Sequence, residues 1–352
     1  MIIPRVSSTF FVACSLFCAS SACAEPWRLG VIAPLTGDFA SYGHDIVAGA
    51  ESAKGELQQL GVEVELFPQD ACLPQEALTA FNALRNLQKV HAIAGNFCLI
   101  ALPAVIPLAN RSKLPLIHTA IATEEVGSAG PYIFTAGHFI RAEAEAAAEY
   151  AFKVLKARSA SILAIETNFG EEYASFFASR FERLGGRVII REFNPPGVND
   201  FRGEITRLRA NPADVVLLAH LGQTLATLLE QIKHAGIESA LLGTYEAGDR
   251  HFIESAGNAA NGLRFLAPLL PPQIGNLEDI SYVEALAFSS TWTLGLALNE
   301  CKGAAECVRD YLANHGTLLI QKMPPTLRRS SDSVPRFSVT EIIDKQTVEL
   351  GG

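Results

Sequence analysis

Short apolar runs alternate with amphipathic stretches along most of this chain, and that rhythm restricts the fold more than any single motif. Trp27–Ala33 reads as a buried strand and Pro34-Leu35-Thr36-Gly37 as a turn, and Tyr42–Leu60 carries Ile46, Ala50, Ala53 and Leu57 at helical spacing up to Gly61. Strands at Val62–Phe67, His91–Ala94, Leu114–His118 and Tyr132–Thr135 enclose helices at Pro74–Lys89 and Leu99–Asn110. An Ala/Glu-rich helix, Ala142–Ala157, opens a second series. Its strands are Ser161–Ile165, Arg187–Phe193, Asp214–Ala219, Ala240–Gly243 and Gly262–Leu266, and its helices are Glu171–Leu184, Phe201–Arg209 and Gln223–His234. Parallel strands need crossover connections, so alternation of this kind predicts βαβ units and parallel sheets.

With 352 residues the chain has room for two such domains. Pro268-Leu-Leu-Pro-Pro272 interrupts the second series; a long helix (Ile280–Asn299), a shorter one (Ala304–Asn314) and a β-rich tail near Arg336–Leu350 follow. The expectation is an α/β protein of two Rossmann-like lobes joined by a hinge of three crossings, near Phe139–Ala142, Ala267–Pro272 and Ser330–Arg336. The first lobe then comprises residues 25–140 plus 270–332, and the second 141–269 plus 333–352.

The stretch Ala92-Ile-Ala-Gly-Asn-Phe-Cys-Leu-Ile-Ala101 reads as a strand, a tight turn and a helix start. The first amides of a helix have no partner within it, and in an open α/β sheet they point into the crevice where ligands bind. Cys98 lies in this turn, and Cys72 closes another apparent strand end at Phe67-Pro-Gln-Asp-Ala-Cys72. A bond between them would tie two strand ends at the crevice rim.

Residues 1–24 have the pattern of a secretory signal: Arg5, an apolar Thr9–Ala19, then Ala22-Cys23-Ala24 before Glu25-Pro26. Cleavage is expected after Ala24, with periplasmic localisation; acylation at Cys14, Cys18 or Cys23 is the alternative. The apolar run is too short for a secure membrane span. Of seven cysteines, Cys72, Cys98, Cys301 and Cys307 remain, an even number suited to an oxidising compartment. Three pairings are possible. The short Cys301–Cys307 loop favours that bond and leaves Cys72 with Cys98; free thiols are the other reading. No His stands at ligand spacing to these cysteines, so no metal is expected.

Asp and Glu number 37 against 28 Lys and Arg, with no basic patch, which argues against nucleic acid. The sequence holds no Gly-x-Ser-x-Gly, His-Glu-x-x-His, P-loop or Gly-x-Gly-x-x-Gly, and the adjacent carboxylates Glu171 and Glu172 do not face each other on a helix. Neither an enzyme nor a cofactor is expected.

The opening Gly30-Val-Ile-Ala-Pro-Leu-Thr-Gly37, with Tyr42-Gly43 and Ala48-Gly49-Ala50, resembles the leucine/isoleucine/valine-binding protein family. So do Gln69-Asp-Ala-Cys-Leu-Pro74, Gly95-Asn-Phe-Cys98, Gln231-Ile-Lys-His-Ala-Gly236 and Leu242-Gly243. These are type I periplasmic solute-binding proteins of ABC importers. The resemblance implies hinge closure on a small ligand, delivery to an ABC permease in the inner membrane, action as a monomer, and a Cys72–Cys98 disulfide. A ligand-sensing module that signals to a receptor or regulator is the alternative role.

The resemblance places Tyr42, Leu99, Ile100, Ala120, Ala122, Thr123, Phe169, Leu221, Tyr245 and Glu246 at the ligand site. Leu99 and Ile100 stand where amino-acid binders of the family have Ser, Ala122 where Thr is expected with Thr123 one residue late, and Leu221 where they have Tyr. Ala120 fits; Tyr245 or Glu246 falls at the family's Glu. Each unmade hydrogen bond to a charged group costs roughly 1.5–3 kcal/mol. An apolar or aromatic carboxylate or amide therefore suits this lining better than an amino acid. Phe288, His118 and His138 are weaker candidates, more readily placed in the core. Non-reducing mass mapping should recover Cys72–Cys98 and Cys301–Cys307; any other linkage refutes the rim assignment.

Overall fold

Runs such as Val215–Ala219 are apolar at every position because both of their faces are covered, whereas helices such as Ala40–Gln59 bury one stripe (Ile46, Ala50, Ala53, Leu57). In a computed structural model, which describes residues 25–350 except 38, 96, 269–279 and 320–336, those two patterns assemble two sheets. In chain order the first half is β1 (Trp27–Ala33), α1 (Ala40–Gln59), β2 (Val64–Asp70), α2 (Pro74–Asn86), β3 (Ala92–Gly95), α3 (Leu102–Ser112), β4 (Leu116–His118), α4 (Glu124–Gly127) and β5 (Ile133–Thr135). Its sheet has the order β2-β1-β3-β4-β5 with every pairing parallel.

The second half follows as α5 (Ile140–Lys153), β6 (Ser159–Ile165), α6 (Asn168–Arg183), β7 (Arg187–Asn194), α7 (Arg202–Ala210), β8 (Val215–Ala219), α8 (Gly222–His234), β9 (Ala240–Gly243), α9 (Arg250–Ala256) and β10 (Arg264–Pro268). Then come α10 (Tyr282–Cys301), α11 (Ala305–Leu319), β11 (Phe337–Ile343) and β12 (Gln346–Leu350). The second sheet runs β12-β11-β10-β9-β8-β6-β7, parallel from β7 to β10 and antiparallel across β10, β11 and β12.

The chain returns to the first sheet through α10, which is buried almost all round and packs on α1. The two helices approach closely enough that a Cβ on Gly49 would stand 2.2 Å from the Glu284 carbonyl oxygen. Both expected disulfides are present, Cys72–Cys98 and Cys301–Cys307, with Cα separations of 5.2 and 5.5 Å. The signal segment and most of the second and third expected crossings lie outside the described residues.

Several boundaries differ from the sequence reading. Helix α3 begins at Leu102, not Leu99: Pro103 occupies its first turn, where a missing N–H costs nothing, and residues 99–101 form turns instead. Helix α6 starts at Asn168 because the Thr167 hydroxyl accepts from Gly170 N–H as an N-cap, a signal the spacing of apolar residues does not carry. A 3-10 turn at Tyr245–Gly248 and the helix α9, capped by the Asp249 carboxylate, have too little periodicity to be read in advance.

His220, just past β8, is fully buried edge-on to Phe201 at 5.6 Å, and neither ring nitrogen has a hydrogen-bond partner among the described residues. Burial pushes its pKa down to about 4. A His with a depressed native pKa binds its proton in the unfolded chain first, so stability present above pH 6.5 is lost as pH falls towards 4, by roughly 3 kcal/mol at most. In urea unfolding, His220→Phe should gain on the parent by about that amount between pH 7 and pH 4; parallel profiles would show that the ring is not held neutral.

Candidate functional site

A cavity of about 560 Å³ opens where the carboxyl ends of the two sheets face each other. In each sheet, strand order reverses between two neighbours, β1 and β3 in one and β6 and β8 in the other. The connections leave such a pair on opposite faces and open a crevice between them. Phe39 and Tyr42 enter from the connection after β1 and the start of α1, and Phe97, Leu99 and Ile100 from that after β3. Ala120, Ile121 and Thr123 follow β4. From the second sheet come Ile165 at the end of β6, Glu166 to Phe169 beyond it, Leu221 after β8 and Glu246 after β9.

Eight of the ten residues named from the sequence line this space: Tyr42, Leu99, Ile100, Ala120, Thr123, Phe169, Leu221 and Glu246. Ala122 and Tyr245 stand behind the wall. Ala122 is fully buried and pairs with Phe139 in an isolated β-bridge. The Tyr245 ring packs edge-on to His138 and Tyr282, at 5.5 and 5.3 Å. Phe288 lies in a core cluster with Ala53 and Ala285, stacked on Trp292. His118 is buried, with Nε2 3.0 Å from the Ile121 carbonyl oxygen.

The wall is mostly apolar. The Tyr42 ring stacks on Phe97 at 5.0 Å with planes 19° apart, and Phe39 leans on Tyr42 at 6.2 Å. Leu99 packs against the cores of both halves. Ile100 is 62% exposed and Leu73 55% exposed at the mouth, beside the Cys72–Cys98 bond, whose two cysteines are themselves part of the wall. Phe39, Leu73 and Phe97 were not singled out from the sequence, although Phe97 sits between the quoted Asn96 and Cys98. Phe39 follows a turn with no periodic signal.

The late start of α3 changes the polar end of this site. The Ala101 N–H donates to the Cys98 carbonyl at 2.9 Å and the Leu102 N–H to the Leu99 carbonyl at 3.3 Å. The Ala101 amide, one of those expected to point unpartnered into the crevice from a helix start at Leu99, is therefore already used. Thr123, a buried residue that lines the cavity, makes no side-chain cap hydrogen bond at the start of α4.

No Lys, Arg or His lines the cavity among the described residues; its ionisable groups are Tyr42, Glu125, Glu166 and Glu246. Glu246 accepts from the Thr244 hydroxyl at 3.1 Å. Burial, with the charge of Glu143 as the next cause, pushes its pKa up to about 8. Near neutral pH this carboxyl is largely protonated and can donate a hydrogen bond into the cavity. Glu143 is a buried residue that sequence reading passed over as one of many in an Ala/Glu-rich helix: its carboxylate accepts from the Tyr173 hydroxyl at 3.0 Å and from the Tyr245 N–H at 2.8 Å. A rim contact joins the halves outside the cavity, where the Glu124 N–H donates to the Glu172 carboxylate at 3.2 Å.

A raised carboxyl pKa means that the folded chain holds a proton which the unfolded chain has released; stability is full below about pH 4.5 and falls as pH rises through 8. Glu246→Gln should therefore gain stability over the parent between pH 5 and pH 8.5 in urea unfolding. A constant difference across that range would show that Glu246 is already ionised in the folded chain.

A sequence model of the periplasmic binding protein family matches residues 26–288. An amino acid binding protein of Pseudomonas aeruginosa is 24% identical over 224 residues, covering 61% of this chain and 59% of that protein, so the chain spans about three fifths of the relative. Among solved structures, a leucine binding protein from Thermotoga maritima superposes with a TM-score of 0.84 at 21% identity, covering 92% of this chain and 97% of the other. A solute binding protein of an ABC transporter from R. palustris, in complex with benzoate, gives 0.79 at 16% identity, covering 93% and 96%. At these identities the two structures speak to the fold alone.

Proposed function

Because the chain belongs to the periplasmic binding protein family, we propose that it is the solute-capturing subunit of an ABC importer, holding a small ligand between two lobes and presenting it to a permease in the inner membrane. In this reading the leader is cleaved after Ala24, and the lobes comprise residues 25–140 plus 270–332 and 141–269 plus 333–352. The mature protein works as a monomer and returns its ligand unchanged. No helix among the described residues is long and apolar enough to cross a membrane.

The solute has an apolar, preferably ring-bearing, body and a carboxylate or carboxamide head. One observation carries this: the aromatic wall of Phe39, Tyr42, Phe97 and Phe169, continued by Leu99 and Leu221. A planar ring gains from offset or edge-on aromatic partners beyond the area it buries, by about 0.5–1.5 kcal/mol per pair. For the head group, protonated Glu246 and the Thr123 hydroxyl are donors that need no cation. An ammonium would have to ionise Glu246 first, against the burial and the Glu143 charge that keep it protonated. This sets a zwitterionic amino acid below an aromatic or aliphatic acid or amide.

A thermal-shift screen of the mature chain tests the assignment. A solute at 100 times its dissociation constant adds about 2.7 kcal/mol of stability. Benzoate-like acids, aliphatic acids or their amides should raise the melting temperature, with leucine, isoleucine and valine giving little. A shift with those amino acids alone overturns the solute class. Leu99→Ser should restore a hydroxyl at the head-group end, strengthening leucine binding while weakening the apolar solute.

A further inference from the structure

The chain passes between the two sheets three times, and the described ends of all three passages meet at one side chain. The first passage, from β5 to α5, contains His138. The second delivers the chain into α10, whose first residue is Tyr282, and the third ends at Phe337, the first residue of β11. The His138 ring lies 5.7 Å from the Tyr282 ring and 5.3 Å from the Phe337 ring, and its Nδ1 is 2.9 Å from the Tyr282 hydroxyl. The backbone is held too. The His138 carbonyl accepts from the Ala122 N–H at 2.9 Å, and a Cβ on Gly137 would stand 1.9 Å from the Ala120 carbonyl oxygen. The first passage therefore runs directly against the loop that supplies Ala120 and Thr123 to the cavity.

The other ring nitrogen faces the ligand site through one intermediary. His138 Nε2 is 2.8 Å from Glu143 Oε2, and both side chains are buried. Glu143 Oε1 accepts from the backbone N–H of Tyr245, the residue before Glu246. A buried His–carboxylate pair is common core chemistry. Here, though, its partners are the ends of the passages and the turn that presents a cavity residue.

We propose that His138 is the positioning residue of the hinge, fixing the three inter-lobe passages in one mutual geometry, and that Glu143 relays that geometry to the Tyr245–Glu246 turn of the cleft. Rotation of one lobe against the other must then move Tyr282 or Phe337 relative to the imidazole, leave a buried polar group unmet, and loosen the turn beneath Glu246. The relay is independent of the solute class, because none of these contacts requires a ligand.

The test uses the full mature chain without added solute. Labels introduced through unnatural amino acids at the exposed Glu56 and Arg209 leave the four cysteines intact and report the distance between lobes. His138→Phe keeps a ring in the cluster and removes both hydrogen bonds. It should broaden the distance distribution and speed exchange of the Tyr245 amide about tenfold. Glu143→Gln, which retains an acceptor for that amide, should keep it protected, whereas Glu143→Leu should not. If His138→Phe does not fold, Tyr282→Phe removes a single hydroxyl and should shift both readouts in the same direction by a smaller factor. A folded variant of either kind with the parent's distance distribution and exchange rates, whatever its melting temperature, would reduce His138 to ordinary packing and overturn the proposal.

Discussion

Everything at the cleft depends on the gap that a parallel sheet leaves where its strand order reverses. Two neighbouring strands whose connections depart on opposite faces cannot fill the space between those connections. Both sheets have such a pair, β1 with β3 and β6 with β8, and each pair contributes to the cavity wall. Tyr42 and Leu99 come from the first pair, Phe169 and Leu221 from the second. The chemistry of the wall can vary widely on this frame, since side chains beyond the strand ends are not needed to hold the sheets together.

The two halves share more than a boundary. Helix α10 follows β10 in the chain yet packs on α1 beneath the first sheet, where small residues let the helix backbones approach. That return makes each half dependent on chain from both sides of a passage. Leu99 adds a contact of another kind, touching the cores of both halves from the cavity wall. An apolar side chain there rewards close approach of the lobes without specifying a hydrogen-bond geometry.

The strands and most helices could be read because their periods, two and about 3.6 residues, come from backbone geometry and burial alone. What escaped was decided locally by a single group or at long range by the fold. Pro103 and the Thr167 cap moved two helix starts by three residues each from Leu99 and Glu171 to Leu102 and Asn168. At the site, neighbours along the chain diverge: Thr123 and Glu246 face the cavity while Ala122 and Tyr245 pack behind it, a distinction that spacing against a family pattern does not resolve to one residue. Glu143 gave no signal at all. Its importance arises only when α5 brings it against Tyr173, 30 positions away, and Tyr245, 102 positions away.

The Cys72–Cys98 bond belongs to the cavity wall as well as to the scaffold. Closing a loop of this size restricts the chain before folding is complete, so the ordering of two rim segments is accomplished when the thiols are oxidised and not when a solute arrives. A pre-ordered rim leaves less conformational entropy to be lost on capture, which favours tight binding by a small molecule that offers few polar contacts. In the proposed role, the same chain held reduced would then be a weaker trap than the oxidised one even if its sheets were fully formed.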